Sequence, residues 1–145
     1  MKKITLTLAL LLSASAVGAQ TNVCTNPTQT QSAIINFSSA TTTSLVAPAA
    51  SGSGVAATRV VVCGFSFTMV GAATANTFKL EYGTGSTCGT GTVVMTGTYT
   101  ASVTVGSSTV VSFSTPFATT ANQRLCGVTT TADSVQGTLV YVLTP

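Results

Sequence analysis

The chain has 145 residues, of which 5 per cent are charged and none is histidine, and its formal net charge at pH 7 is +3. These numbers exclude catalysis by a Ser-His-Asp or Cys-His arrangement, because both need a histidine. They also argue against nucleic-acid binding, which depends on clustered cations, because the whole chain holds only 5 Lys and Arg residues.

The first residues have the pattern of a secretory signal peptide. Two lysines precede an apolar run that ends at Leu12, and Val17–Ala19 supplies the small residues that signal peptidase recognises. We therefore expect residues 1–19 to be a signal peptide and residues 20–145 to form a single domain, whose net charge falls from +3 to +1 with the loss of both lysines. No other segment approaches the roughly twenty apolar residues of a membrane span. We expect a secreted protein, either extracellular or on a cell surface.

Composition and alternation predict an all-β protein. The chain is rich in Thr, Val, Ser, Gly and Ala, which favours strands and turns over helices, and period-two alternation recurs along it. In chain order, strands are predicted at residues 33–37, 42–46, 60–69, 78–82, 93–98, 102–105, 109–113, 124–128 and 135–143. Short strands separated by turn signals predict a single antiparallel β-sandwich of jelly-roll or immunoglobulin-like type, with a small β-barrel as the alternative.

Alternation also assigns side chains to faces of the strands. In the third strand, the predicted core face holds Val61, Cys63, Phe65, Phe67 and Met69, and the opposite face holds Val60, Val62, Ser66 and Thr68. In the fourth strand, Phe78, Leu80 and Tyr82 are predicted to face the core, and Lys79 and Glu81 to face solvent.

A glycine-rich stretch follows the fourth strand. Residues 81–92, EYGTGSTCGTGT, place Cys88 where a dinucleotide-binding G-x-G-x-x-G motif needs its third glycine. A phosphate-binding P-loop is not predicted either, because strand-forming residues follow instead of Lys and Ser or Thr. We interpret the stretch as a turn between two strands that is fastened by Cys88.

The predicted exported part contains an even number of cysteines, which indicates two disulfides. They are Cys24, Cys63, Cys88 and Cys126. Zinc ligands usually come in pairs two to four residues apart, whereas these cysteines are 39, 25 and 38 positions apart. We therefore expect no metal and no cofactor. Four cysteines allow three connectivities, of which we favour Cys24 with Cys63 and Cys88 with Cys126, because a turn cysteine and a strand-start cysteine can meet at one end of a sandwich.

The chain has too few carboxylate side chains for the sequence to predict an enzyme. After signal removal the acids are Glu81 and Asp133. Glu81 is interpreted as a solvated partner of Lys79, and Asp133 as a turn residue between two strands. Two acids also do not make a calcium site without extensive backbone help.

Weak candidates for ligand binding are two aromatic and two basic residues. Tyr99 and Phe117 are the candidates for exposed aromatics on which a sugar could stack, although partial burial is the favoured interpretation of both. Arg59 and Arg124 begin strands and could bind a carboxylate or a sugar, although solvated strand ends are favoured.

Several segments resemble small all-β proteins found in tailed-phage and environmental viral sequences. The segments are RVVVCGFSFT around Cys63, KLEYGTGSTCGTGT around Cys88 and RLCGVTTTADSVQGTLVYV from Arg124, and the similarity runs from about Cys24 to Val142. The resemblance implies a virion-associated or surface-displayed β-sandwich without enzymatic activity, and it brings no binding residues with it.

Three functional hypotheses follow. The first is a non-enzymatic structural or adhesive β-sandwich, displayed on an extracellular or virion surface, whose partners are further copies of itself or other surface proteins. The second is a secreted recognition module that binds glycan or another surface ligand. The third is a pilin-like subunit that assembles by strand donation. Nucleic acid and membrane are not expected partners.

Overall fold

The structure, a computed structural model, describes residues 23–26, 28–48, 57–70, 75–101, 104, 108–130 and 134–145. The predicted signal peptide, Asp133 and all of the predicted strand at 102–105 except Thr104 lie outside the described residues.

Strands dominate the described part of the chain. A 3₁₀ helix at Val23–Thr25 precedes the strands β1 (Gln31–Phe37), β2 (Thr41–Val46), β3 (Arg59–Val70), β4 (Thr77–Thr84), β5 (Thr90–Val94), β6 (Tyr99–Thr100), β7 (Ser108–Phe113), β8 (Phe117–Ala118), β9 (Arg124–Thr129) and β10 (Val135–Thr144). The strand predicted at 93–98 is therefore wrong in position, because β5 begins at Thr90 and ends at Val94. The two-residue strands β6 and β8 were not predicted.

These strands form two antiparallel sheets. Sheet 1 has the order β1-β10-β3-β7, with β8 also pairing with β3, and sheet 2 has the order β2-β9-β4-β5, with β6 also pairing with β4. The sheets pack against each other through their inner faces, as between Phe67 of sheet 1 and Phe78 of sheet 2, whose ring centroids are 4.6 Å apart. The predicted β-sandwich is confirmed, and the barrel alternative is wrong because the described strands do not close the two sheets on each other.

A β-bulge interrupts β3 in the middle of sheet 1. Val62 lies opposite Tyr141 of β10, whereas Gly64 lies opposite Val140, so Cys63 is an extra residue on β3. A bulge shifts the alternation by one position, because two residues of one strand face one residue of the other.

The predicted core face of β3 is consequently wrong before the bulge and confirmed after it. Val60 and Val62 are fully buried in the core, whereas Val61 and Cys63 are half-buried on the other side. Beyond the bulge the core side chains are the predicted Phe65, Phe67 and Met69.

Two disulfides fasten the sandwich. Cys24 of the 3₁₀ helix is bonded to Cys63 at the bulge, and Cys88 of the turn after β4 is bonded to Cys126 of β9. This is the connectivity that we favoured from the sequence. Both bridges are compatible with an extracellular protein. Within the described ranges, no helix has the length and apolar character needed to cross a membrane.

Candidate functional site

The glycine-rich stretch forms the predicted turn between β4 and β5. Gly85 and Cys88 have positive φ angles of 81° and 55°, and Gly91 has one of 62°. Glycine adopts such angles without steric penalty. These glycines therefore serve the turn, and the Cys88 disulfide holds the turn against β9.

Glu81 is paired as predicted but is not solvated. Its Oε2 atom lies 2.9 Å from the Nζ atom of Lys79, two residues earlier on β4. Glu81 is only 7% exposed, and Cys126 and Val94 lie directly opposite it on the two neighbouring strands. The solvated interpretation was wrong, since single-strand alternation does not reveal how the turn and its disulfide cover this part of sheet 2.

The described residues do not assemble a metal-binding cluster. Groups of three or more His, Cys, Asp or Glu side chains that could hold a metal ion are absent from the described ranges. Glu81 is the one carboxylate side chain within those ranges, and it is committed to Lys79.

The two candidate aromatics are packed into a cluster of rings. Tyr99 is half-buried, with its ring centroid 6.1 Å from that of Phe65 and 5.4 Å from that of Phe67. Burial raises the pKa of the Tyr99 hydroxyl above its usual range. Phe117 is also half-buried, 6.3 Å from Phe65 and 5.9 Å from Phe113. Neither ring stands free as a platform for a sugar.

The two candidate arginines lie on opposite outer surfaces of the sandwich. Arg59 begins β3 in sheet 1 and its neighbour Val60 faces the core, whereas Arg124 begins β9 in sheet 2 and its neighbour Leu125 faces the core. Because side chains alternate along a strand, both arginines point away from the core and away from each other. The structure does not bring them together into one site.

The outer face of sheet 1 is an exposed surface with little charge. Its members are Ser32, Ile34 and Asn36 of β1, Gln136, Thr138 and Val140 of β10, Ser66 and Thr68 of β3, and Val110 and Ser112 of β7. Ile34 is 77% exposed and Val110 is 69% exposed. Arg59, at the first position of β3, is the one charged residue in the strands of this sheet. We identify this outer face, with its edge strand β1, as the candidate functional site.

Strand β1 is the longest regular edge of the described sheets. All seven of its residues pair in unbroken register with β10, and no described strand pairs with its other side. The edge β2 is interrupted by an irregularity between Ser44 and Val46, and the β4–β5 pairing shifts between Tyr82 and Thr84. The remaining edge, β7, has six residues. Proteins usually guard such edges with charges, prolines or bulges, and β1 has none of them.

The importance of Ile34 was missed from the sequence, although a signal was present. Ile34 and Ile35 are consecutive, so strict alternation requires one of them to point outward. Ile35 is buried in the core and Ile34 is the outward one.

Similarity to known proteins does not identify the role of this surface. The chain matches no protein-family profile, no curated protein and no solved structure.

Proposed function

We propose that this protein is a non-enzymatic structural or adhesive β-sandwich, displayed on the outside of a cell or a virion, that associates through the weakly charged outer face of sheet 1. The observation that carries the proposal is the outer face of sheet 1 with its edge strand β1, whose other side pairs with no strand among the described residues. Ile34 and Val110 are the most exposed large apolar side chains on that face, at 77% and 69%.

Burial of this face would be favourable on physical grounds. Each apolar Å² removed from water contributes roughly 25 cal/mol. The polar members are hydroxyl and amide side chains, which exchange water hydrogen bonds for protein ones at little net cost. Arg59, at one end of β3, is the one charged side chain in the strands of this sheet, so burial of the rest of the face does not carry the large cost of desolvating a charge.

Two further features support the proposed location outside a cell or on a virion. The N-terminal signal pattern and the two disulfides fit an oxidising, extracellular location. Placement on a virion is supported by the resemblance of the segments around Cys63 and Cys88 to phage-associated β-proteins.

Glycan recognition has less support than association. Its candidate aromatics Tyr99 and Phe117 are engaged with other rings, and Arg59 and Arg124 point in different directions. A pilin-like subunit would be one particular form of association, in which the added strand comes from a neighbouring subunit.

Light scattering coupled to size-exclusion chromatography tests the proposal. We expect the mass to rise above that of one chain as the protein concentration rises. We also expect the association to persist at high salt, because screening weakens contacts between charges and leaves apolar contacts intact. A single-chain mass at every concentration would contradict the proposal.

A further inference from the structure

The geometry of β1 points to a specific partner, and we infer that it is a second copy of this chain. In this inference, which rests on the proposed function, β1 of one copy pairs with β1 of the other in antiparallel order about a two-fold axis at Ile34. Sheet 1 would then continue from one copy into the next.

The residue pattern of β1 is self-complementary in this register. Ile34 is the middle residue of the seven in Gln31–Phe37, so the two-fold axis places it opposite its own copy. Ser32 then lies opposite Asn36 on the same outer face. Ala33 lies opposite Ile35 on the core side. A shift of one residue would place exposed side chains against buried ones. In the register proposed here, the outward side chains of both copies lie on one face of the joined sheet and the core-side residues lie on the other.

Charge also permits two identical edges to meet. Neither β1 nor its neighbour β10 contains a charged residue. Like charges directly opposite each other destabilise a strand pair, and here none are present. The outer face beside the junction holds Val140, which pairs with Ser32, so Ile34 would join an apolar neighbourhood formed from both copies.

The predicted interface is small, which suits a surface protein. A strand pair buries less than the roughly 800 Å² per partner of a standard interface, so the pairing should be weak in dilute solution. Holding many copies on one surface raises their effective concentration and favours such weak contacts.

Charge substitutions at Ile34 provide a sharp test. Ile34→Lys should raise the dimer dissociation constant at least about tenfold, because it removes the central apolar contact and places like charges opposite each other. Ile34→Glu should do the same. A one-to-one mixture of the two variants should restore the affinity to within about threefold of the original protein, because Lys then faces Glu. The matched control is Val110→Lys on the other edge strand, which should change the dissociation constant less than about threefold.

Hydrogen exchange gives a second readout on the unsubstituted protein. The β1 amides that do not bond to β10 should exchange more slowly at high protein concentration, while β7 amides should not change. Circular dichroism should show that Ile34→Lys retains its fold, because Ile34 is 77% exposed.

The possible failures are distinguishable. If the protein associates but Ile34→Lys has no effect, or if Val110→Lys alone dissociates it, the β1 pairing is wrong while the proposed function stands. If the mixture of Lys and Glu variants stays dissociated, the two-fold register at Ile34 is wrong. If the original protein never associates, both proposals fail.

Discussion

Gly137 of β10 lies directly opposite Phe67 of β3, at a place where the two strands leave no room for a side chain on the glycine. A Cβ atom on Gly137 would lie 2.5 Å from the Phe67 Cα and 2.6 Å from the Phe67 Cβ, and closer still to the Ser66 carbonyl oxygen. Two of these three atoms are backbone atoms, which do not move aside as the end of a flexible side chain does. The glycine therefore permits the close approach of two central strands of sheet 1.

The first prediction is that Gly137→Ala strongly destabilises the fold. We expect a loss of at least about 3 kcal/mol in the free energy of unfolding, because the added methyl group overpacks against a central strand. Urea unfolding measures the loss. Gly97→Ala is the matched control, since nothing lies within 4 Å of its added Cβ, and it should be neutral or stabilising by up to about 1 kcal/mol. Equal stability of the two variants would contradict the close approach of the strands.

The second prediction concerns the disulfide at the bulge. Cys63 lies outside the hydrophobic core, so Cys63→Ala should remove the bridge without opening a core cavity. Cys24→Ala and Cys63→Ala should then each lose about 2–5 kcal/mol, and the double variant should lose no more than either alone. A markedly larger loss for Cys63→Ala would restore the view that Cys63 is a core residue.

The third prediction is an order of reduction for the two bridges. Cys24 and Cys63 are half-buried, whereas Cys88 and Cys126 are fully buried. Thiol–disulfide exchange needs access of the attacking thiolate to a sulfur atom. A low concentration of a small thiol should therefore open the Cys24–Cys63 bridge first.

Alkylation followed by mass spectrometry measures that order. The unreduced protein should give no reaction with Ellman's reagent after denaturation, since none of the four cysteines is free. Because basic residues are few, peptide mapping needs a protease of broader specificity than trypsin. First labelling of Cys88 and Cys126 would contradict the predicted order.

Strand β3 shows which part of the fold could be predicted from the sequence and which part could not. Alternation correctly placed Phe65, Phe67 and Met69 in the core, because side-chain direction in a regular strand follows from the backbone alone. It failed at Val61 and Cys63, because a bulge depends on how β10 pairs with β3.

In the candidate site, too, some features follow from the local sequence and others depend on tertiary contacts. The outward position of Ile34 follows from the local sequence, since Ile35 takes the core position. The edge position of β1 does not follow from it, because strand order is set by contacts between segments that are distant in the chain. Burial of Glu81 is likewise a product of tertiary packing around β4.

The fourth prediction concerns the Lys79–Glu81 ion pair. The Lys79 side chain is 31% exposed and that of Glu81 is 9% exposed. Lys79→Met should therefore destabilise the protein more than Glu81→Gln, because a lone carboxylate at Glu81 would reach water less easily than a lone ammonium at Lys79. A double-mutant cycle by urea unfolding should give a coupling of about 1–2 kcal/mol, between the values for exposed and buried pairs. A coupling of zero would mean that the pair contributes no stability.

The fifth prediction is a loss of stability in alkaline solution through Tyr99. Burial raises the pKa of the Tyr99 hydroxyl in the folded protein, whereas in the unfolded chain a tyrosine ionises near pH 10. The contribution of the neutral Tyr99 hydroxyl to the free energy of unfolding is therefore fully present below about pH 10. As the pH rises further, the unfolded chain releases its proton before the folded protein does, and the free energy of unfolding falls.

Tyr99→Phe should make this alkaline decline shallower, because phenylalanine has no proton to lose. Short thermal scans from about pH 9 to pH 12 compare the two proteins across the window set by the tyrosine pKa. The difference in absorbance at the tyrosinate band between the two proteins reports the titration of Tyr99 itself. Since the ring packs against Phe65 and Phe67, phenylalanine keeps those contacts, and the stability of the variant near neutral pH should change by less than about 1 kcal/mol. An unchanged alkaline slope in Tyr99→Phe would show that burial of this hydroxyl does not control the decline.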